Sequence, residues 1–272
     1  MVDSKKQQEL HAKYNPEGSQ LRILQLNLLD ILVEFDRICN KNNITYWIDS
    51  GTLIGAARHG GFIPWDDDLD VCVFRKDRKR LRKAMEKDLK SPFIFVDAYS
   101  SAKGTYSRCA RLRNNRVSVY RTIPKPGFPE ETEIRKDNIW LDVFFETYGN
   151  PVVSKKIDFL FGRCYRRRFR LIDDGKMNRF IGVCLYPFAQ FLVVAARCWG
   201  SVFNRKTLIH DFGTGFYSKR KTEDVFPLGK IEFEGYQFPA PCNTDRYLSR
   251  IYGDWTRIPD NIENHNIFKI QD

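Results

Sequence analysis

The stretch that decides the fold covers residues 46–71 and reads YWIDSGTLIGAARHGGFIPWDDDLDV. Its beginning is aromatic and β-branched, which predicts a strand over 45–48. Gly51 and Thr52 then open a short helix, and a break containing glycine and proline precedes an acidic run. The acidic run leads into residues 69–74, where apolar side chains alternate with others, so a second strand is predicted there.

The acidic run is the most informative part of this stretch. Its members are Asp66, Asp67, Asp68 and Asp70. A solvated loop is the usual explanation of such a run, but this one opens directly into an apolar strand. Residues i and i+2 of a strand share a face, so Asp68 and Asp70 are predicted to project together. Two carboxylates on one face form a seat for a hard divalent cation such as Mg²⁺.

A third ligand is expected from elsewhere in the chain. Asp142 lies in the apolar sequence WLDVFF, which predicts a buried strand over 140–145. A buried aspartate is costly unless it is paired, hydrogen-bonded or bound to a metal. Asp142 is therefore the candidate third ligand, and the alternatives are that it caps a turn or pairs with an arginine.

Phosphate-binding groups are predicted on both sides of the acidic run. The helix that begins at Gly51 and Thr52 offers free backbone N–H groups, which bind phosphate well, although an ordinary turn would look the same. Arginine suits bidentate phosphate contacts. The candidates are Arg58, Arg108, Arg111 and Arg113, each of which could equally be a solvated surface arginine. His59 is expected to make hydrogen bonds in its loop rather than to act in catalysis.

The order of these elements is that of the nucleotidyltransferase superfamily, and the local sequence is more specific. Residues 46–71 closely resemble the signature of the LicD/fukutin family of phosphotransferases. WLDVF at 140–144 resembles the family's second acidic strand, and IEFEGYQFPAP at 231–241 with YLSRIYGDW at 247–255 resembles its C-terminal signature. The resemblance spans about residues 20–265.

The resemblance implies an activity, a cofactor and partners. It implies Mg²⁺, or else Mn²⁺, held by Asp68, Asp70 and Asp142, with Asp66 as a further ligand and Asp67 in the same loop. It implies transfer of phosphocholine, or a similar phospho-alcohol, from a CDP-activated donor, with release of CMP. The acceptor would be a hydroxyl of a cell-surface glycan, such as lipopolysaccharide or teichoic acid, or its lipid-linked precursor.

Composition and charge restrict the partners. The 272 residues include 45 Lys and Arg against 34 Asp and Glu, a net charge of +11 that suits nucleotides, phosphorylated glycans or anionic membranes. No recognised RNA-binding motif is present, so nucleic acid is not expected. The seven cysteines are scattered without a C-x-x-C pair, and no signal-peptide core precedes residue 15. These features predict a cytoplasmic protein, with contact to the inner membrane face as a further option.

The N-terminal third should contain one long helix. Residues 1–14 are interpreted as a frayed polar lead, and Asn15-Pro16 as the cap and first turn of the helix. Apolar residues follow at spacings of three and four, which predicts an amphipathic helix that ends at Asn42-Asn43. The stripe consists of Leu21, Leu24, Leu28, Ile31, Phe35 and Ile38.

The region after residue 150 is basic and apolar. Residues 155–170 mix lysine and arginine with Phe and Tyr, and residues 180–196 contain no charge. We expect a buried helix pair broken at Pro187, and the alternatives are peripheral contact with an anionic membrane and a membrane-spanning helix.

Together these features predict an α+β fold, a nucleotidyltransferase-like mixed sheet with covering helices and an added helical region. The expected organisation is a catalytic core over 15–150, a helical region over 151–222 and a C-terminal part of the same catalytic domain over 223–272.

Two other functions remain open at this point. A true nucleotidyltransferase would move a nucleotide to RNA or a small acceptor and release pyrophosphate. A non-catalytic binding module on the same fold would bind its ligand without turnover.

Overall fold

The computed structural model describes residues 3–98, 109–125, 128–168, 175–212, 214, 216–260, 262 and 267–271. The helices are α1 (Ser4–Tyr14), α2 (Gln20–Lys41), α3 (Ser50–His59), α4 (Arg78–Asp88), α5 (Pro151–Arg168), α6 (Lys176–Phe203), α7 (Thr222–Val225) and α8 (Thr244–Tyr252). The strands are β1 (Tyr46–Ile48), β2 (Asp70–Phe74), β3 (Phe93–Val96), β4 (Ala110–Lys125), β5 (Phe128–Tyr148), β6 (Thr207–His210), β7 (Arg220–Lys221), β8 (Gly229–Phe233), β9 (Tyr236–Ala240) and β10 (Ile267–Gln271).

Eight of the described strands form one mixed sheet. Its main path is β1-β2-β5-β4-β10, with β3 paired to β4 and the β6-β7 pair attached to β5. β2 and β5 are parallel, whereas β1-β2 and β4-β5 are antiparallel. The predicted α+β fold with a mixed sheet and covering helices is confirmed.

The hydrophobic core lies mainly between α2 and one face of this sheet. The predicted apolar stripe of α2 is buried from Leu24 to Ile38, so the long amphipathic helix is confirmed. Val71 and Val143 are in register on neighbouring strands and are fully buried. The Tyr46 hydroxyl donates a hydrogen bond to Asp36 of α2 over 2.7 Å, which places α2 over this face. The opposite face of the sheet is therefore left for polar side chains.

The start of the chain differs from the prediction in two respects. Residues 4–14 form helix α1, capped by Asp3, whose carboxylate accepts from the Lys6 N–H over 2.9 Å. Asn15 ends α1, and Ser19 is the N-cap of α2. The frayed lead and the Asn15-Pro16 helix start were therefore wrong, because α1 buries only Leu10 and its sequence has no apolar period.

The predicted break at Pro187 is also wrong, as is the prediction that the helix pair is buried. α6 continues through Pro187, which lies on the exposed side of the helix, and Phe188 and Phe191 are exposed as well. Proline removes one helical hydrogen bond, and on this side the carbonyl left without a partner can reach solvent. Among the described residues, α6 is the one helix that is long and apolar enough to cross a membrane. Only 22% of its most apolar 18-residue window is buried in the protein.

The C-terminal segment folds back onto the residues before the acidic run. Glu234, in the turn of the β8-β9 hairpin, accepts hydrogen bonds from the Phe62 N–H over 3.1 Å and from Arg22 of α2 over 2.8 Å. The Glu234 N–H in turn donates to the Gly60 carbonyl over 2.9 Å. These contacts join the β8-β9 hairpin to α2 and to the residues before the acidic run, and the assignment of residues 223–272 to the catalytic domain stays a prediction.

The loop before the acidic run packs directly on α3, and this contact generates a prediction. A Cβ atom at Gly55 of α3 would lie 2.4 Å from the carbonyl oxygen of Gly61. Gly55→Ala should therefore lower the free energy of unfolding by about 1–3 kcal/mol, as overpacking usually does. Urea denaturation followed by circular dichroism measures this change.

Gly162→Ala in α5 is the matched control, since among the described residues its Cβ would meet only the Arg166 side chain, at 3.6 Å. Alanine favours a helix over glycine, so this variant should be neutral or up to about 1 kcal/mol more stable. Equal destabilisation by both variants would contradict the close approach of the loop to α3.

Candidate active site

Two carboxylates meet on neighbouring strands at the polar face of the sheet. Asp70 at the start of β2 and Asp142 in β5 are in register, and the Asp142 N–H donates to the Leu69 carbonyl over 2.9 Å. Residues in register on adjacent parallel strands point to the same face. The structure thus places two of the four predicted metal ligands side by side.

The other acidic residues approach the same place from the loop. Asp68 precedes β2 rather than lying within it, so it does not share a strand face with Asp70 as predicted. It reaches the site instead through the loop. A Cβ atom at Gly51 would lie 2.8 Å from a carboxylate oxygen of Asp66 and 4.0 Å from one of Asp68. Glycine at 51 therefore leaves room for the Asp66 carboxylate, while the Asp68 carboxylate is at ordinary contact distance.

A buried glutamine holds this loop in position. The Gln25 side-chain amide, on the apolar stripe of α2, donates to the backbone carbonyl of Asp66 over 2.9 Å and to that of Ile63 over 3.3 Å. Its own carbonyl accepts from the Asn15 side chain over 2.7 Å. A fully buried amide with its hydrogen bonds satisfied rigidifies its surroundings, so Gln25 is a support of the acidic loop that sequence reasoning missed.

The start of α3 forms the floor of the site. Asp49 occupies the N-cap position, but its side chain does not cap the helix because it is engaged in a buried network described below. The Thr52 hydroxyl accepts a hydrogen bond from the Asp70 N–H over 2.8 Å, which connects the helix to β2. Gly51 and Thr52 thus lie beside the carboxylates, at a helix start whose N–H groups are suited to an anion.

The carboxylates of this cluster repel one another strongly. Burial raises the pKa of Asp70 well above its usual value, and the charges of Asp68, Asp142, Asp49 and Asp66 raise it further. Burial also raises the pKa of Asp66, together with the charges of Asp68 and Asp67. The cluster therefore concentrates negative charge in a partly desolvated site, and a bound cation would reduce the repulsion between its carboxylates.

Two arginines extend the site along β4. Arg111 is opposite Asp142 in the sheet, and its Nε donates to the Asp142 carboxylate over 2.8 Å. The guanidinium of Arg111 lies 4.2 Å from the centre of the Trp140 ring, and that of Arg113 lies 5.7 Å from it. The Nε of Arg113 is buried without a hydrogen-bond partner among the described residues. Arg108, the other candidate in this segment, lies outside them.

Arg58 and His59 make mainly structural contacts. One terminal nitrogen of Arg58 donates to the backbone carbonyls of Trp255 and Arg257, each over 3.0 Å. Its Nε donates to Nε2 of His59 over 2.9 Å, and Nδ1 of His59 is 2.6 Å from the Gln7 side-chain oxygen. Burial lowers the pKa of His59 to about 3, so its imidazole is neutral. Arg58 therefore fastens α3 to the C-terminal turn, and a role in binding the donor stays a prediction.

Beneath the site lies a buried polar network that joins distant parts of the chain. The Tyr247 hydroxyl of α8 donates to the Asp49 carboxylate over 2.7 Å and accepts from Arg220 over 2.9 Å. Arg220 also donates to Nε2 of His210 over 2.7 Å, and Nδ1 of His210 is 2.9 Å from the Glu146 carboxylate. All five residues are buried, so the start of α3 is positioned by groups from β5, β6, β7 and α8.

The sequence offered only a weak signal for this network. Tyr247 lies in the C-terminal signature, and Glu146 follows an apolar strand at even spacing from Asp142, so it shares the polar face. Tyr252, also in that signature, hydrogen-bonds Ser50 at the start of α3, and burial with the charge of Asp49 raises its pKa to about 12. Its phenol thus stays protonated beside the site.

A second group of ligand atoms lies within the network. One ligand atom each of Cys72, Glu146 and His210 lies within 4.8 Å of the others, so these residues are a candidate metal triad. Burial raises the pKa of the Cys72 thiol, which disfavours the thiolate that binds metals. The Arg220 guanidinium, 3.6 Å from Glu146 and 2.7 Å from His210, already supplies positive charge there. These contacts favour a structural role for the triad.

The mixed sheet and its covering helices agree with the predicted nucleotidyltransferase-like fold. Residues 43–159 match the family model described as LicD/FKTN/FKRP, nucleotidyltransferase domain, so the resemblance to the LicD/fukutin family is confirmed.

Two relatives identify the type of enzyme. The chain is 26% identical to the lipopolysaccharide cholinephosphotransferase LicD of Haemophilus influenzae, over 88% of this chain and 92% of that protein. It is 33% identical to the ribitol 5-phosphate transferase FKRP of Mus musculus over 102 residues, which is 36% of this chain and 20% of FKRP. An uncharacterized protein of Rickettsia prowazekii is 45% identical over 73 residues, 26% of its length. The prediction of a phosphotransferase enzyme is confirmed at this level.

The mutual repulsion of the carboxylates predicts a pH dependence of stability without metal. Because the folded-state pKa of Asp70 is raised, the native state holds more protons than the unfolded state between the two pKa values. The free energy of unfolding contributed by Asp70 should then fall as pH rises above about 4, the ordinary value for aspartate. Asp70→Asn removes this fall, so in EDTA the variant should gain stability over the wild type as pH rises.

Urea denaturation over a pH series measures this difference. Asp137→Asn, on β5 but away from the cluster, should keep the wild-type slope. Parallel curves for wild type and Asp70→Asn would mean that Asp70 is not under electrostatic strain.

Proposed function

We propose that this protein transfers phosphocholine, or a similar phospho-alcohol, from a CDP-activated donor to a hydroxyl of a cell-surface glycan or its lipid-linked precursor, and releases CMP. The observation that carries the proposal is the convergence of Asp66, Asp68, Asp70 and Asp142 beside the uncapped start of α3. The two named relatives support it, since one is a cholinephosphotransferase and the other a ribitol 5-phosphate transferase.

The donor atoms of the cluster fit a hard divalent cation. Asp68, Asp70 and Asp142, with Asp66 as a further ligand, offer only carboxylate oxygens, which Mg²⁺ and Mn²⁺ prefer. The raised pKa values of Asp66 and Asp70 support this assignment, because they mark negative charge that lacks a matching cation. When bound, Mg²⁺ would neutralise diphosphate charge and favour displacement at phosphorus.

The protein's own groups can hold the diphosphate of the donor. The backbone N–H groups at Gly51 and Thr52 lie at a helix start that no side chain caps. The Arg111 guanidinium lies beside Asp142, and that of Arg113 lies beside the neighbouring Trp140 ring. Arginine in this position offsets the charge of a phosphate oxygen in the transition state.

Asp142 is the proposed acceptor of the proton from the glycan hydroxyl. The hydroxyl oxygen forms a bond to the distal phosphorus of the donor, its proton moves to the carboxylate, and the bond to the oxygen of CMP breaks. Arg111, 2.8 Å from the Asp142 carboxylate, fixes the orientation of that group. Attack on the distal phosphorus distinguishes this reaction from nucleotidyl transfer.

We favour phosphocholine as the transferred group because the LicD relative aligns over 92% of its length, whereas FKRP aligns over 20% of its length. A choline cation needs an aromatic or acidic surround. Tyr46 and Trp47 are fully buried in the core and cannot line such a site. Trp65 and Trp140 are half-buried, and we propose them as the aromatic surround of the choline cation. The reaction is placed in the cytoplasm.

A direct test measures the products of turnover. We expect the full chain with Mg²⁺, CDP-choline and a glycan extract to release CMP, and EDTA to abolish release. Asp70→Asn should lower the rate by roughly a hundredfold or more, because a metal ligand is lost without loss of packing. Chromatography of the nucleotides measures the rate.

Asp137→Asn on β5, the neighbouring strand, provides the control and should keep close to wild-type turnover. Near wild-type turnover by Asp70→Asn would contradict the metal assignment. Release of pyrophosphate from CTP, without CMP release from any CDP-alcohol, would support a true nucleotidyltransferase instead.

A further inference from the structure

α6 packs on α5 through one narrow stripe. Its buried residues Gly182, Tyr186, Ala189 and Val193 recur at spacings of three and four. The contact is close, since a Cβ atom at Gly182 would lie 2.5 Å from Cβ of Arg167. The side of α6 opposite this stripe is exposed among the described residues.

That remaining surface is apolar and strongly exposed. Six of its apolar side chains have exposed fractions between 47% and 74%. They are Phe180, Phe188, Phe191, Trp199, Val202 and Phe203. The helix has 28 residues and a length of about 42 Å, so the patch extends along several turns. An uncovered apolar patch of this kind marks a contact with a partner or a membrane.

The flanking charges are almost all positive. α5 carries six basic residues and one acidic residue, Asp158, which is buried and accepts a hydrogen bond from Tyr217. α6 carries three basic residues and no acidic one. Lys155, Lys156 and Arg163 are exposed on α5, and the Arg163 guanidinium lies 5.3 Å from the ring of the exposed Phe159. Basic groups beside aromatic side chains match the headgroup region of an anionic bilayer.

The contacts of α6 with the sheet indicate whether this helix could lie on a membrane or cross it. Arg197 makes two hydrogen bonds of 2.8 Å to Asp211, which also accepts from Arg75. A Cβ atom at Gly200 would lie 2.0 Å from the Tyr148 carbonyl at the end of β5. Because a charged pair and the sheet end fasten one side of α6, that side cannot enter hydrocarbon.

We infer that the α5–α6 hairpin docks on an anionic membrane, with the exposed apolar face of α6 inserted into one leaflet and the basic residues of α5 at the lipid phosphates. A second copy of the chain fits less well, since pairing two hairpins would bring their positive flanks together. Membrane docking of the hairpin is a property separate from the proposed reaction and does not depend on it. Docking would hold the sheet that carries Asp142 near the lipid surface.

Vesicle flotation of the full chain tests this inference. Vesicles of phosphatidylcholine with phosphatidylglycerol should carry the wild type, and vesicles of phosphatidylcholine alone should carry much less. Phe188→Glu with Phe191→Glu should lower the partition coefficient by about tenfold or more, because two exposed aromatic groups leave the leaflet. Lys155→Gln with Lys156→Gln should lower binding to anionic vesicles by about fivefold per charge.

The control is Ile94→Glu with Tyr236→Glu, which changes two comparably exposed apolar residues away from the hairpin. It should float like the wild type, and melting temperatures check that each variant folds. Absence of wild-type flotation with anionic vesicles, or equal loss in the control, would overturn the inference. A wild-type dimer that Phe188→Glu with Phe191→Glu splits into monomers, without vesicle binding, would assign the face to a second copy instead.

Discussion

The parallel pairing of β2 with β5 is the constraint on which the rest of the structure depends. It sets Asp70 and Asp142 in register on one face, while Val71 and Val143 anchor the same strands in the core on the other. Like charges on adjacent strands repel unless a cation or an arginine lies between them. Burial of the apolar side chains on the other face of β2 and β5 therefore holds the carboxylates together against their repulsion. Arg111 offsets only part of their negative charge.

Elements far apart in sequence serve to keep this arrangement in place. Gln25 holds the acidic loop from α2, Glu234 holds the residues before it, and Tyr247 holds Asp49 at the start of α3. Such buried polar groups stabilise one conformation when their hydrogen bonds are complete. The C-terminal third is thus part of the site, although it contributes no carboxylate to the acidic cluster.

Local patterns were sufficient for the elements that carry the acidic residues. The apolar period of α2, the strand at 69–74 and the position of Asp142 were predicted because each has a strong local signal. α1 was missed because only Leu10 is buried, and the break predicted at Pro187 was wrong because proline is tolerated on an exposed side of α6. The pairing of Arg220 with residues from distant strands depends on tertiary contacts, which local periodicity does not encode.

Direct titration of Mn²⁺ followed by electron paramagnetic resonance tests the central claim, that the acidic cluster holds the cation. Wild type should bind Mn²⁺ with Mg²⁺ as a competitor, Asp70→Asn and Asp142→Asn should each weaken binding by about tenfold or more, and Cys72→Ser should leave it unchanged. Unchanged binding in both aspartate variants, with loss in Cys72→Ser, would place the metal at Cys72, Glu146 and His210 and contradict this account.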